Sequence, residues 1–159
     1  MVHNAARAGF RASLLLVVTG VVTVLTGRPF LFPSLGPSAY LLATAPTAPT
    51  SQPRNVIGGH AIGVVAGLLT YHLLASGLVV TDPASPLSLA QLRLGASAVL
   101  SVGLTTAGMV AADYRHAPAC ATTLIVGLGL LPSPVDGAII LAAVVLLVAS
   151  QSAMTRNVA

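Results

Sequence analysis

Between Ser51 and His60 the chain reads Ser-Gln-Pro-Arg-Asn-Val-Ile-Gly-Gly-His, which sets Gln52, Arg54, Asn55 and His60 at the start of a long apolar segment. An amide pair, a guanidinium and an imidazole at a helix start suit the binding of a small anion. The first-turn N–H groups already point at such a ligand, and the helix dipole favours negative charge there. Gly58 and Gly59 lie one turn on from Arg54 and Asn55, so bulk is missing where a ligand or another backbone could approach. Arg54 has a second reading as an anchor that reaches up to lipid headgroups. His60 serves equally well as a packed, hydrogen-bonded neutral imidazole or as a functional group.

A second polar cluster, Asp113-Tyr-Arg-His116, stands just before Pro118. Asp113 and Arg115 either pair and close a helix or form a polar gate in which His116 changes charge near neutral pH. Ala119, Cys120, Thr122 and Thr123 mirror Ser38, Ala39, Leu41 and Leu42, which follow Gly36 and Pro37. Small residues at both places suit tight packing or a narrow passage. Gly59, Gly63 and Gly67 form a small-residue face that lets helices in a membrane approach closely, the partner being another helix of this chain or a second copy. Arg93 either reaches to the headgroups or faces the protein interior. Asp136 has the S-x-x-D spacing of a capping box with Ser133. His60 and His72 point in different directions, and no carboxylate stands nearby, so no metal site and no cofactor is expected. The single Cys120 cannot form an intramolecular disulfide.

These residues sit in a very apolar chain. Of 159 residues only 6% are charged, against roughly 25% in soluble domains, and mean hydropathy is +0.93. All seven cations are Arg, the acids are Asp82, Asp113 and Asp136, and Lys, Glu and Trp are absent. A hydrocarbon core about 30 Å thick needs around twenty helical residues per span, so the chain supplies membrane segments and little else. That leaves no room for a nucleic-acid-binding or catalytic domain outside the bilayer. The Arg excess reads as membrane topology rather than an acidic partner.

Four long apolar segments cover roughly Ala12–Gly27, Asn55–Val80, Pro86–Ala112 and Val135–Ser150. Arg7 and Arg11 ahead of Leu14–Leu25 have the look of a signal peptide, but the first segment also has a later counterpart, which argues that it stays. Two shorter stretches intervene, opened by Pro37 and Pro118 in first-turn positions and stopped by Pro46 and Pro132. Ser85-Pro86 predicts the cap and first turn of the third long helix, and Thr81–Pro86 a polar hinge. An ungapped offset of 81 pairs Gly27 with Gly108, Pro37 with Pro118, Pro53 with Pro134 and Asn55 with Asp136. The expected fold is therefore all-α and polytopic, a single domain over 1–159. It has internal repeats at about 12–80 and 86–153, each with two long helices flanking a short Pro/Gly-broken one. If each unit crosses three times the repeats are inverted, and if twice they are parallel. Six crossings put Arg7, Arg11, Arg54, Arg115 and Arg156 on one side, with Arg28 and Arg93 opposite, which is the better positive-inside pattern.

Three stretches carry a family resemblance: Gly36-Pro-Ser-Ala-Tyr-Leu-Leu, the Ser51–His60 run, and His116-Ala-Pro-Ala-Cys-Ala-Thr-Thr-Leu. Together they resemble the HPP family of integral membrane proteins over nearly the whole chain. The family's His-Pro-Pro motif, usually followed by Ala-Gly-Ala-Thr, is altered here. His116, Pro118, Ala119, Ala121 and Thr122 carry over, but Ala117 replaces the first proline and Cys120 the glycine. Some photosynthetic members are implicated in moving nitrite, so the resemblance implies a transporter or channel for a small inorganic anion.

The expectation is such a protein in the cell (inner) membrane, both termini cytoplasmic, with the lipid bilayer as its main partner. The substrate-binding residues would be Ser38, Gln52, Arg54, Asn55, His60 and His116. Gating or packing falls to Gly36, Pro37, Gly58, Gly59, Gly63, Gly67, Asp113, Arg115 and Pro118. A thin bundle leaves little room for a pore, so a homo-oligomer is expected. The alternative is a non-transporting scaffold that binds partners through the Gly59–Gly67 face. A membrane enzyme ranks last, since no catalytic constellation is present.

Overall fold

The computed structural model describes residues 2–82 and 84–156, and every regular element among them is helical. Four long helices are α1 (Val2–Thr26), α3 (Pro53–Thr70, prolonged by a π-turn over Tyr71–Ala75), α4 (Leu89–Ala111) and α6 (Pro134–Arg156). Two short ones are α2 (Leu35–Thr44) and α5 (Ala119–Gly127). Each of the four long helices is long and apolar enough to cross a membrane. With ten and nine residues, α2 and α5 reach only about 15 Å, half a hydrocarbon core.

Local chemistry explains most of the boundaries. Gly27, at φ +63, closes α1 by donating its N–H to the Thr23 carbonyl at 2.9 Å. Asp113 closes α4 in the same left-handed conformation (φ 55), which Asp tolerates better than most residues, and the Tyr114 N–H then reaches the Met109 carbonyl at 2.9 Å. At α6 the capping box forms as expected: the Asp136 N–H donates to Ser133 Oγ at 3.1 Å, and the Ser133 N–H to Asp136 Oδ2 at 3.1 Å. Asp136→Ala is expected to lower stability by about 1 kcal/mol, measured as a fall in the unfolding midpoint in detergent.

Several boundaries differ from the sequence expectation. Ser88, not Ser85, caps α4, accepting the Gln91 N–H at 3.3 Å, and Pro86 lies in the preceding turn. Pro83, part of the expected hinge, lies outside the described residues. The second long segment leaves helical structure after Ala75, short of Val80, and Gly77 there takes φ +80. Gly129, at φ +77, ends the turn after α5 before Pro132 is reached. The ungapped offset survives at Pro53 and Pro134, which both open long helices, at Asn55 and Asp136 two residues on, and at Pro37 and Pro118 at the start of the short ones, but fails at Gly27 and Gly108. Gly27 ends a helix, whereas Gly108 lies inside α4 with Ile62 against it.

Side-chain contacts trace the course of the chain. Asn4, Arg7 and Arg11 near the start of α1 share a surface cleft with Ala43 and Thr44 at the end of α2, so α2 runs back along α1. Gln52 and Pro53 share a small cavity with Gln151, Ser152 and Thr155, so α3 starts where α6 ends. Met109, late in α4, faces Gly59 early in α3, and Arg93, early in α4, donates from Nε to the Leu74 carbonyl at 2.6 Å. Gly63 faces Ala119 and Gly67 faces Val126, so α5 runs alongside α3. The chain thus runs end to end six times, four by long helices and two by a short helix with its flanking segment. In chain order, long–short–long occurs twice among these helices.

Apolar residues form both the interior and the outer surface of the bundle. Leu15, Leu35, Leu42, Val56, Ile140 and Leu147 form a core among α1, α2, α3 and α6. Val24, Leu73, Leu92 and Val99 point outward and are largely exposed, as lipid-facing residues are. Meanwhile the buried face of α4 is mainly hydroxyl: Ser97, Ser101 and Thr105, at intervals of one turn.

Candidate functional site

The glycine face of α3 positions the polar centre. A Cβ at Gly59 would lie 3.0 Å from His116 Cβ, and one at Gly63 would lie 2.8 Å from both the Ala119 carbonyl oxygen and Thr123 Oγ1. One at Gly67 would lie 2.8 Å from Val126 Cβ. The face is therefore packed against the chain's own α5 and the segment leading into it. Without side chains in the way, that segment comes close enough to set the His116 ring 5.2 Å from the His60 ring, centroid to centroid.

Both imidazoles are fully buried, as are Ser34, Ser38 and Thr122 around them. Ser38, one turn into α2, has its Oγ 3.1 Å from His60 Nε2 and 3.0 Å from His116 Nε2. The same hydroxyl lies 3.1 Å from the Ser34 carbonyl. His60 Nδ1 is 2.7 Å from Thr122 Oγ1, which is itself 2.6 Å from Ser34 Oγ. The His116 Nδ1–H donates to the Thr50 carbonyl at 2.8 Å. Residues from α2, α3, α5 and the three segments that connect α1 to α2, α2 to α3 and α4 to α5 meet here, and every buried polar group of this cluster has a partner, as desolvation demands. A second row continues on the α4 side: Thr105 Oγ1 is 2.7 Å from Thr123 Oγ1, and Ser97 donates to the Gly127 carbonyl at 2.8 Å.

Of the residues singled out in the sequence, Ser38, His60 and His116 come together. Gln52, Arg54 and Asn55 do not join them. Arg54 is exposed, its guanidinium 5.2 Å over the Tyr114 ring. That ring fills the space expected to be open at Gly58, where a Cβ would come within 2.7 Å of it. Gln52 is exposed too, and its carbonyl receives the Asn55 and Val56 N–H groups. Asn55 Nδ2 donates to the Pro49 carbonyl at 2.7 Å, pinning the 3-10 turn Pro49–Ser51 that supplies the Thr50 carbonyl. Asp113 and Arg115 pair at 3.5 Å on the surface. Pro118 is buried directly ahead of α5, Pro37 stands in the first turn of α2, and Gly36 has open space around its Cβ position.

Three contributors escape the sequence reading. Thr50 acts through its backbone, which no residue type announces. Ser34 falls in a loop before α2. The one-turn spacing of Ser97, Ser101 and Thr105 was a usable signal, since hydroxyls on a single face of an apolar helix favour the protein interior.

The family model described as HPP, transmembrane region, matches residues 1–158. No curated protein and no solved structure matches the chain.

Proposed function

The chain belongs to the HPP family of integral membrane proteins, and from that premise we propose that it passes a small anion such as nitrite across the bilayer. One observation carries this reading: two imidazoles and a run of hydroxyls, all buried, occupy the middle of a bundle whose outer surface is apolar. Polar and ionisable groups inside a membrane are costly, and they mark substrate or ion pathways more often than they serve packing alone. The repeats are proposed to be inverted, with the short helices meeting at the site, a common arrangement for binding at the membrane midplane.

Arg54 contributes from the surface. An exposed guanidinium attracts anions through water and is screened by salt, so its effect is on approach rather than on binding deep inside. Arg7, Arg11, Arg54 and Arg115 share an end of the bundle with the last turn of α6, while Arg28 and Arg93 lie at the other. By the positive-inside rule the first end, with both termini, is cytoplasmic. A homo-oligomer is part of the proposal, since one thin bundle leaves little room for a water-filled pore. The scaffold reading loses its surface, because α5 already covers the Gly59–Gly67 face.

Purified protein in liposomes is expected to admit nitrite faster than protein-free vesicles. Equal rates would end the transport reading. Arg54→Ala is expected to slow uptake at low salt and to flatten its dependence on ionic strength, and unchanged uptake would remove Arg54 from the path.

A further inference from the structure

We propose that the cleft between the start of α1 and the end of α2 holds the phosphate headgroup of an anionic phospholipid, whose acyl chain lies along the outer face of α1. This cleft lies apart from the histidine cluster, and its ligand is independent of anything the cluster passes. It has a volume of about 470 Å³ and is lined by Asn4, Arg7, Ala8, Arg11, Ala43 and Thr44. Arg7 and Arg11 stand one turn apart, with Asn4 a turn before them, so all three project from one side of the helix. Ala8 and Ala43 leave the space between the two helices open.

Two guanidiniums on one cleft repel each other unless an anion sits between them. The chain has three acidic side chains, and all three are placed elsewhere. Asp113 pairs with Arg115, Asp136 is engaged in the cap of α6, and Asp82 lies beyond the last turn of α3 at the other end of the bundle. The end of α2 brings the negative pole of a ten-residue helix, roughly half a charge, against two full positive ones. The balance in the cleft is positive. A phosphodiester suits this donor set, because it has two unesterified oxygens and a guanidinium fork can pair with each. The Asn4 amide offers further N–H donors.

The rest of the ligand follows from the course of α1. Steps of three and four residues from Arg7 and Arg11 reach Leu14, Val18, Val21 and Leu25, all exposed on the same side of the helix. Beside them runs an apolar furrow that includes Val21 and Leu25, left open at Gly20, where a Cβ would meet nothing within 4 Å. Arg11 and Val21 are ten residues apart, about 15 Å along a helix. That is the depth of one leaflet of a hydrocarbon core about 30 Å thick. A headgroup on the arginines therefore brings an acyl chain to the furrow at its natural reach.

α1 is also the helix with most to gain from such a ligand. Only 11% of its span is buried, against 50% for α3 and 39% for α6. A lipid seated between Arg7, Arg11 and Thr44 ties α1 to α2, the helix that carries Ser38. The arginine end is the one the positive-inside rule assigns to the cytoplasm, where the leaflet is richer in anionic lipid.

The test adds dioleoyl-phosphatidylglycerol, dioleoyl-phosphatidylcholine or inorganic phosphate to the full chain in mild detergent. Native mass spectrometry counts what stays bound, and thermal unfolding reads the midpoint. One phosphatidylglycerol per chain is expected to remain and to raise the midpoint. It should bind roughly 25-fold tighter than phosphatidylcholine, since each arginine near the surface favours an anionic lipid by about fivefold. Arg7→Gln combined with Arg11→Gln should lose both the retained lipid and the rise in midpoint. Arg115→Gln, which removes a charge from the same end, should keep them. Equal retention of the two lipids, or retention of neither, overturns the site. So does an equal loss in Arg115→Gln, which would mean attraction to diffuse surface charge. A rise with inorganic phosphate that matches the lipid's assigns the cleft to a free anion and overturns the phospholipid. Neither arginine is buried, so the double variant is expected to fold; should it not, the preference of the unmodified chain between the two lipids decides alone.

Discussion

Gly63→Leu is expected to leave little or no folded protein. The Cβ alone would sit 2.8 Å from the Ala119 carbonyl oxygen and from Thr123 Oγ1, and one of those is backbone that cannot swing aside. Overpacking usually costs about 1–3 kcal/mol when side chains absorb it. Here α5 itself must move away from α3, which would also separate His116 and Thr122 from His60, so the cost exceeds that range. Gel filtration and thermal unfolding in mild detergent read the result, with aggregation or a collapsed yield expected. Gly103→Ala is the matched control: it is exposed within α4 with nothing near its Cβ position, and it is expected to gain about 0.5–1 kcal/mol. A Gly63→Leu protein that elutes and melts like the parent would mean that α3 and α5 do not pack as described.

His60→Leu separates function from folding. The change removes the hydrogen bonds to Ser38 and Thr122, a loss of about 1 kcal/mol each. Neither hydroxyl is orphaned, because Ser38 still reaches His116 and Thr122 still reaches Ser34. The variant is therefore expected to fold with an unfolding midpoint a few degrees lower. Anion flux should fall to the level of protein-free vesicles, since an isobutyl group cannot help to solvate an ion. Flux that survives in the folded variant would place the pathway away from this cluster.

The helices were legible because lipid imposes simple rules. Length and hydropathy pick out the four long ones, and Pro37, Pro118, Pro53 and Pro134 mark starts correctly to within a turn. Ends set by competing signals were harder. Ser85-Pro86 is as good a start on paper as Ser88, and Gly129 stops α5 before Pro132 can. At the site, Ser38, His60 and His116 stood out as polar or titratable groups in apolar surroundings. Arg54 stood out more, yet Tyr114 holds it at the surface, and which way an arginine turns depends on tertiary neighbours. Ser34 and the Thr50 carbonyl had no pattern to betray them. Nor could the antiparallel course of α2 along α1 and of α6 along α3 be read from arginine positions alone; it needed Arg7 beside Thr44 and Gln52 beside Gln151.

The brevity of α2 and α5 bears on biosynthesis. At ten and nine residues, neither has the apolar length by which the insertion machinery commits a segment to the bilayer. Each must enter against neighbours already in place, α2 along α1 and α5 in the glycine trough of α3. Because the histidine cluster draws one partner from each short helix, it closes only after both have docked. The polar centre therefore forms no earlier than the docking of both short helices, and until then His60 lacks the partners that its burial in an apolar bundle demands.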